Sequence, residues 1–74
     1  MNEVNNESRA QWAEATLSAF SQITEGYPEL YDEPDAVLTV LLCNLMHYCQ
    51  QSGADFEGCA LSAEISFNAE LESL

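Results

Sequence analysis

The sequence contains no lysine and a single arginine, Arg9, against 13 acidic residues, so its formal net charge is −12. Nucleic acids and anionic membranes are themselves negatively charged and would repel such a chain, which has no basic segment to offset the repulsion. Added Asp and Glu improve solubility, but solubility alone does not require the removal of every lysine. The imbalance therefore predicts a partner that presents a basic surface.

The chain also has no recognisable export signal. The N-terminal segment MNEVNNESRAQW lacks a basic stretch followed by an apolar run, and no segment is long enough to span a bilayer. The three cysteines cannot all pair with one another. We therefore expect reduced thiols and a cytoplasmic location, which would be the host cytoplasm for a phage-encoded protein.

The length of 74 residues limits the chain to one domain. A chain this short buries only about 60% of its unfolded surface, which leaves a thin core and little room for a deep catalytic cleft. We expect a single acidic helical domain over residues 1–74, with residues 1–7 as a flexible tail.

Helical spacing of apolar residues predicts an all-α fold, a compact three-helix bundle with an apolar central helix. The first helix is expected to be capped by Asn6 or Ser8 and to stop at Gly26, before Pro28. Its apolar stripe has six members: Trp12, Ala13, Thr16, Leu17, Phe20 and Ile23.

The second helix is predicted to run from about Pro34 to Ser52 and to end at Gly53. Proline suits the first helical position because its missing N–H would have no partner there. Apolar residues cover most of the circumference of this helix, a pattern typical of a buried element. We expect it to be central, with the other two helices packed on it.

The third helix is predicted to be capped by Asp55, with Phe56 at its first position. Gly58 weakens its first turn by about 1 kcal/mol relative to alanine, and the sequence alone offers no reason for it. The expected inward face is Phe56, Ala60, Ala63, Phe67 and Leu71. Leu61 and Ile65 fall on a different face and are expected to remain partly exposed.

Cys43, His47 and Cys49, with Cys59 approaching from the third helix, are the candidate residues for metal or catalytic chemistry. Cys43 and His47 share a helix face, but there is no Cys-x-x-Cys pair, and structural zinc usually has four closely spaced ligands. An acidic field disfavours a reactive thiolate, so we interpret the cysteines as core residues and His47 as a hydrogen-bonded residue at the core edge. The segment DEPDAV lacks the spacing of an EF-hand. We therefore predict no cofactor, no metal site and no enzymatic activity.

The acidic residues are the predicted partner-binding site. Carboxylates on a rigid scaffold can present a field like that of duplex DNA, which carries one negative charge per about 1.7 Å of axis. One set, here called the connector acids, comprises Glu25, Glu29, Asp32, Glu33 and Asp35. A second set, the third-helix acids, comprises Asp55, Glu57, Glu64, Glu70 and Glu72. Tyr27 and Tyr31 are expected to add contact area beside the connector acids.

The segment LLCNLMHYCQQSGADFEGCALSAEISFNAELE, Leu41 to Glu72, resembles a pattern found in small helical proteins of phages and other mobile elements. The pattern is Leu-Leu, Leu-Met-His, an aromatic residue, Cys, a polar linker with Gly, Asp-Phe and a helix with an aromatic residue and Glu. Where the pattern carries basic residues in its last helix, this chain has Leu61, Ser62 and Glu64. In size, charge and helical character the chain also resembles anti-CRISPR proteins that mimic DNA.

Two functional hypotheses follow. The first is a non-enzymatic inhibitor that binds a basic nucleic-acid-binding protein of a host defence complex and blocks DNA binding by charge mimicry. The resemblance implies the DNA-recognising subunit of a type I CRISPR surveillance complex as the target. The second is an acidic adaptor or homodimeric module without inhibitory activity, suggested by Leu61 and Ile65. A monomer is favoured over a dimer.

Overall fold

The computed structural model describes residues 4–26 and 29–72, which form three α-helices and no strand. The helices are α1 (Asn6–Ile23), α2 (Pro34–Ser52) and α3 (Phe56–Glu72). The all-α, three-helix prediction is therefore confirmed. The chain divides within α2 into two compact units, Met1–Asn44 and Leu45–Leu74, which are called unit 1 and unit 2 below.

The N-terminus of α1 is capped one residue earlier than predicted. Asn5 has an extended backbone, and its side-chain Oδ1 accepts a hydrogen bond of 2.8 Å from the Ser8 N–H. This satisfies one of the amide groups that have no partner in the first turn of a helix. Because α1 begins at Asn6, Asn6 and Glu7 belong to the helix and not to a flexible tail. Residues 1–3 of the predicted tail lie outside the described residues.

The end of α1 depends on two consecutive residues with positive φ. Glu25 has φ of 65° and Gly26 has φ of 80°, and the Gly26 N–H donates to the Ser21 carbonyl at 2.7 Å. This reversal ends the helix where Gly26 predicted a stop. Glycine adopts this conformation without steric cost, whereas Glu25 adopts it at a cost in backbone strain. The hydrogen bonds from the Glu25 N–H to the Gln22 carbonyl and from the Gly26 N–H to the Ser21 carbonyl offset this cost. Tyr27 and Pro28 lie outside the described residues.

Both boundaries of α2 and the start of α3 agree with the predicted ones. Pro34 is the first residue of α2, and Gly53, with φ of 84°, follows its last residue. Its N–H donates to the Cys49 carbonyl at 2.9 Å. At the start of α3, the Gly58 N–H donates to Asp55 Oδ1 at 3.1 Å, which confirms Asp55 as the cap.

Gly58 now has a physical explanation. A Cβ atom at this position would clash with Asp55 Oδ2 and lie 3.0 Å from Asp55 Cγ. A larger residue would therefore require the Asp55 carboxylate, which caps α3, to shift. The glycine costs helix propensity, but it leaves space for the cap.

This arrangement predicts a strong coupling between the two positions. With the cap intact, Gly58→Ala should give no stabilisation, because the gain in helix propensity is offset by loss of the Asp55 hydrogen bond. In an Asp55→Ala background the same change should stabilise the chain by about 0.5–1 kcal/mol. Thermal melts of the four chains of this double-mutant cycle, followed by circular dichroism, measure the coupling. Equal effects of Gly58→Ala in both backgrounds would contradict the explanation.

The buried residues of the described chain lie in unit 1. They are Ser21 in α1, Leu30 between α1 and α2, and Val37, whose side chain is fully buried, in α2. The prediction that α2 is buried all round is wrong, because five of its large apolar side chains are exposed. These are Leu38, Leu42, Leu45, Met46 and Tyr48.

The predicted apolar faces of α1 and α3 are also corrected. In α1, Trp12 and Ile23 are exposed, while Leu17 and Phe20 are half-buried. In α3, only Phe56 of the predicted inward face is half-buried, and the other members are exposed: Ala60, Ala63, Phe67 and Leu71. The predicted exposure of Leu61 and Ile65 is confirmed. Spacing along a helix shows which residues share a face, but a face is buried only where another element covers it.

Candidate partner-binding surface

The connector between α1 and α2 is held by one buried side chain. Leu30 is only 7% exposed, and its neighbours on both sides, Glu29 and Tyr31, are exposed. The Glu33 N–H donates to the Glu29 carbonyl at 2.8 Å, which closes the turn around Leu30. The Val37 N–H donates to the Glu33 carbonyl at 3.1 Å and joins this turn to α2. Leu30 and these two bonds give the backbone that carries the acidic side chains of the turn a defined position.

All five connector acids have exposed side chains. They are Glu25, Glu29, Asp32, Glu33 and Asp35. Glu25 and Glu29 line the same cavity of about 430 Å³, together with residues of the last turns of α1 and with Tyr31. Asp32 and Glu33 follow in the next turn, and Asp35 lies in the first turn of α2. Glu25 and Glu29 therefore line one cavity, although both lie beyond the end of α1.

Tyr31 is the aromatic residue of this surface. Its side chain is 74% exposed and lines two cavities of unit 1, the one beside Glu25 and Glu29 and a second of about 370 Å³. A guanidinium group can pair with a carboxylate through two hydrogen bonds and stack on an aromatic ring. Carboxylates beside an exposed phenol ring are thus suited to arginine side chains of a partner. Tyr27, the other predicted aromatic contact, lies outside the described residues.

Glu14 belongs to this surface and was missed by the sequence prediction. It lines the second cavity together with Tyr31 and Pro34, so the connector passes beside the middle of α1 at this point. The signal was present in the sequence. Residues 14, 18 and 21 follow the alternating four- and three-residue spacing of one helix face. Glu14 therefore shares a side of α1 with Ser18 and Ser21, which line the same cavity as Glu25 and Glu29.

The third-helix acids are more dispersed than the connector acids. Asp55 Oδ1 is engaged in capping α3, and Asp55 also lines a shallow cavity on the surface of α3. Glu57 and Glu64 are seven residues apart and share a helix face, whereas Glu70 falls on another face and is half-buried. Glu72 is exposed at the last position of α3. This set forms no single cluster on α3.

The residues considered for metal or catalytic chemistry are not core residues. Cys43 and His47 are exposed, as is Cys59, while Cys49 is half-buried. The interpretation of these cysteines as buried core residues is therefore wrong for Cys43 and Cys59. Over residues 4–26 and 29–72, no three His, Cys, Asp or Glu side chains lie close enough together to hold a metal ion. No helix in this part of the chain is long and apolar enough to cross a membrane.

Comparison of the chain with protein-family models, with curated proteins and with solved structures finds no significant match. The resemblance of residues 41–72 to small proteins of mobile elements therefore stays a prediction.

Proposed function

We propose that this chain is a non-enzymatic inhibitor that binds the basic nucleic-acid-binding surface of a host defence complex and prevents that complex from binding DNA. The observation that carries the proposal is the group of exposed connector acids held around the buried Leu30. A solubilising charge needs no fixed position, whereas a charge pattern that imitates phosphates does.

The charge of the whole chain supports the same function. A net charge of −12 on an 8.2 kDa protein steers it toward basic grooves and accelerates association. The only basic side chain, Arg9, lies in α1 and donates a hydrogen bond of 3.0 Å to Asn6 Oδ1. The segment 10–35, which includes the connector, contains no lysine or arginine.

The proposed target class is a complex that must grip foreign DNA, and a type I CRISPR surveillance complex is the best candidate. Its DNA-recognising subunit would present lysine and arginine side chains to phosphates, and the same side chains would donate hydrogen bonds to carboxylates. The inhibitor would act in the host cytoplasm, where such complexes meet foreign DNA. It would need no cofactor, because occupying the groove is sufficient to exclude DNA.

Competition with DNA tests this function directly. The chain should be used as bait in host lysate with and without the expressed defence complex, and captured proteins identified by mass spectrometry. Binding of the captured complex should then be competitive with duplex DNA. The affinity for the target should also fall by about tenfold or more between about 50 and 200 mM salt. Binding releases the counterions of both partners, and added salt opposes that release. Simultaneous binding of DNA and this chain to the target would refute mimicry.

A second candidate function is an acidic adaptor or homodimeric module without inhibitory activity. The observation that favours it is the exposure of apolar side chains in unit 2, where Leu61 and Ile65 are 61% and 62% exposed. Isolated exposed leucines are common on protein surfaces, but contiguous ones mark interaction sites. An adaptor would bind its basic partner without displacing DNA, so the same competition assay separates the two functions.

A further inference from the structure

The second cavity of unit 1 is apolar, unlike the acidic surface around it. It has a volume of about 370 Å³ and is called the α1 cavity below. Among the described residues that line it, Glu14 is the only charged one, and the others are apolar or aromatic: Ala10, Ala13, Leu17, Leu30, Tyr31 and Pro34. Ligand sites typically combine an apolar lining with a few polar groups that fix the orientation of the ligand. The α1 cavity therefore suits a ligand with an apolar part and a positive charge.

The two walls of the α1 cavity come from α1 and from the connector. Residues 10, 13, 14 and 17 have the spacing of one helix face, so α1 presents them together. Ala10 and Ala13 have short side chains, which leaves space between α1 and the connector. On the connector side, Leu30 is buried and Pro34 begins α2, so the backbone of this wall has a defined position.

We infer that the α1 cavity binds one arginine side chain of the protein target. The methylene groups of the arginine would lie against the alanines of α1. Its guanidinium group would donate hydrogen bonds to the Glu14 carboxylate and stack on the Tyr31 ring. The volume is near the lower end of the range of about 300–1,000 Å³ for ligand sites, which suits one side chain better than a whole helix or strand. This inference rests on the proposed function and specifies which side chain of the target is held.

Charge complementarity selects arginine over other occupants. An uncharged side chain would exclude water from the Glu14 carboxylate without giving it a hydrogen-bond partner, which costs free energy. Lysine has a compact, strongly hydrated ammonium group, which neither stacks on a ring nor pairs with a carboxylate through two parallel hydrogen bonds. A second copy of the chain offers only Arg9, which lies in α1 and donates a hydrogen bond to Asn6 Oδ1. The occupant is therefore an arginine of a different protein.

An arginine held in this cavity cannot contact DNA at the same time. The guanidinium group pairs with a phosphate through the same two hydrogen bonds that it forms with a carboxylate. Glu14 would thus take the place of one phosphate. An ion pair in an apolar cavity is screened less by salt than one on an open surface. The contribution of Glu14 to binding should therefore persist at salt concentrations that weaken the contribution of the connector acids.

A titration of the full chain with short peptides tests the inference without the target. The probes are two blocked tripeptides, with arginine or lysine between two glycines, which carry the same charge. Nuclear magnetic resonance should show the largest shifts at the amides of Ala13, Glu14 and Tyr31. The arginine peptide should bind at least about threefold more tightly than the lysine peptide. Equal affinities, or shifts spread evenly over all the acidic residues, would overturn the inference.

Filling the cavity separates its shape from the charge around it. Ala13→Leu adds bulk to the α1 wall without changing the net charge, and the control Ala15→Leu adds the same bulk to α1 at a residue that lines neither cavity of unit 1. Both alanines are exposed, and circular dichroism checks that both variants keep their helices. Ala13→Leu should weaken binding of the arginine peptide by about tenfold, and Ala15→Leu by less than about twofold. Equal effects would refute the cavity as the site.

A second pair of variants tests the role of Glu14 with the captured target. Glu14→Gln should weaken binding by about tenfold or more, and the loss should remain at about 200 mM salt. The control Glu7→Gln makes the same charge change in α1 at a residue that lines neither cavity, and it should cost less than about threefold. If the target competes with DNA but both variants act equally, the arginine assignment is wrong and the proposed function stands. If no basic target is captured, the proposed function fails, and the peptide titration still decides whether the cavity binds arginine.

Discussion

Reversing two connector acids, Glu29→Lys with Asp32→Lys, should weaken binding to the target by at least about 100-fold. Both side chains are exposed, and the hydrogen bond that closes the turn uses the main-chain carbonyl of Glu29, so the fold should be retained. The expected loss is large because each lysine would face a basic groove and replace an attraction with a repulsion. Isothermal titration calorimetry with the captured complex measures the loss, and circular dichroism confirms that the helices persist.

The matched control for this variant is Glu3→Lys with Glu7→Lys. It changes the net charge by the same amount, but Glu7 lies in the first turn of α1 and lines neither cavity of the connector. We expect at most a few-fold change in affinity, from the smaller long-range field and from the loss of a favourable charge at the helix N-terminus. If the control and the connector variant lose affinity equally, total charge governs binding and the positioned mimic is wrong.

The second large effect is expected at Leu30. Leu30→Ala should destabilise unit 1 by about 2–5 kcal/mol, because it removes a side chain that is nearly fully buried and leaves a cavity under the connector. It should also weaken target binding, since the connector acids would lose the anchor that positions them. Urea denaturation followed by circular dichroism measures the stability, and the calorimetric assay measures the binding.

The comparison for Leu30 is Leu42→Ala, which makes the same chemical change in the same unit. Leu42 is 43% exposed, so its truncation should cost less than about 1 kcal/mol. The sequence pattern predicted the opposite ranking, with the leucines of α2 as the core and the connector at the surface. Equal costs at the two positions would show that Leu30 is not an anchor.

Local signals in the sequence predicted the helix boundaries well. Pro34, Gly53 and Asp55 act within one turn of their own position, through the missing amide of proline, the left-handed backbone of glycine and the oxygen of a capping carboxylate. The N-terminal cap was misplaced by one residue because Asn5, Asn6 and Ser8 are all chemically suitable caps. Only the backbone conformation of Asn5 decides between them.

The candidate site was predictable in part for the same reason. The acidic excess is a property of composition, and the placement of the connector acids follows from Gly26 and Pro34, which bound the connector. Glu14 was missed because its part in the site depends on the connector lying beside α1, a contact between residues far apart in sequence. Helix spacing alone places Glu14 on one face of α1 with Ser18 and Ser21 but does not show what lies against that face.

By itself, the sequence determined the charge, the three helices and the turns between them, because each of these depends on composition or on groups a few residues apart. Only the tertiary structure decided which apolar faces are covered. Val37 is buried and Leu42 is not, although both lie on the same apolar helix, and no residue of α3 is buried despite its composition. Burial depends on whether another element is present to exclude water from that face.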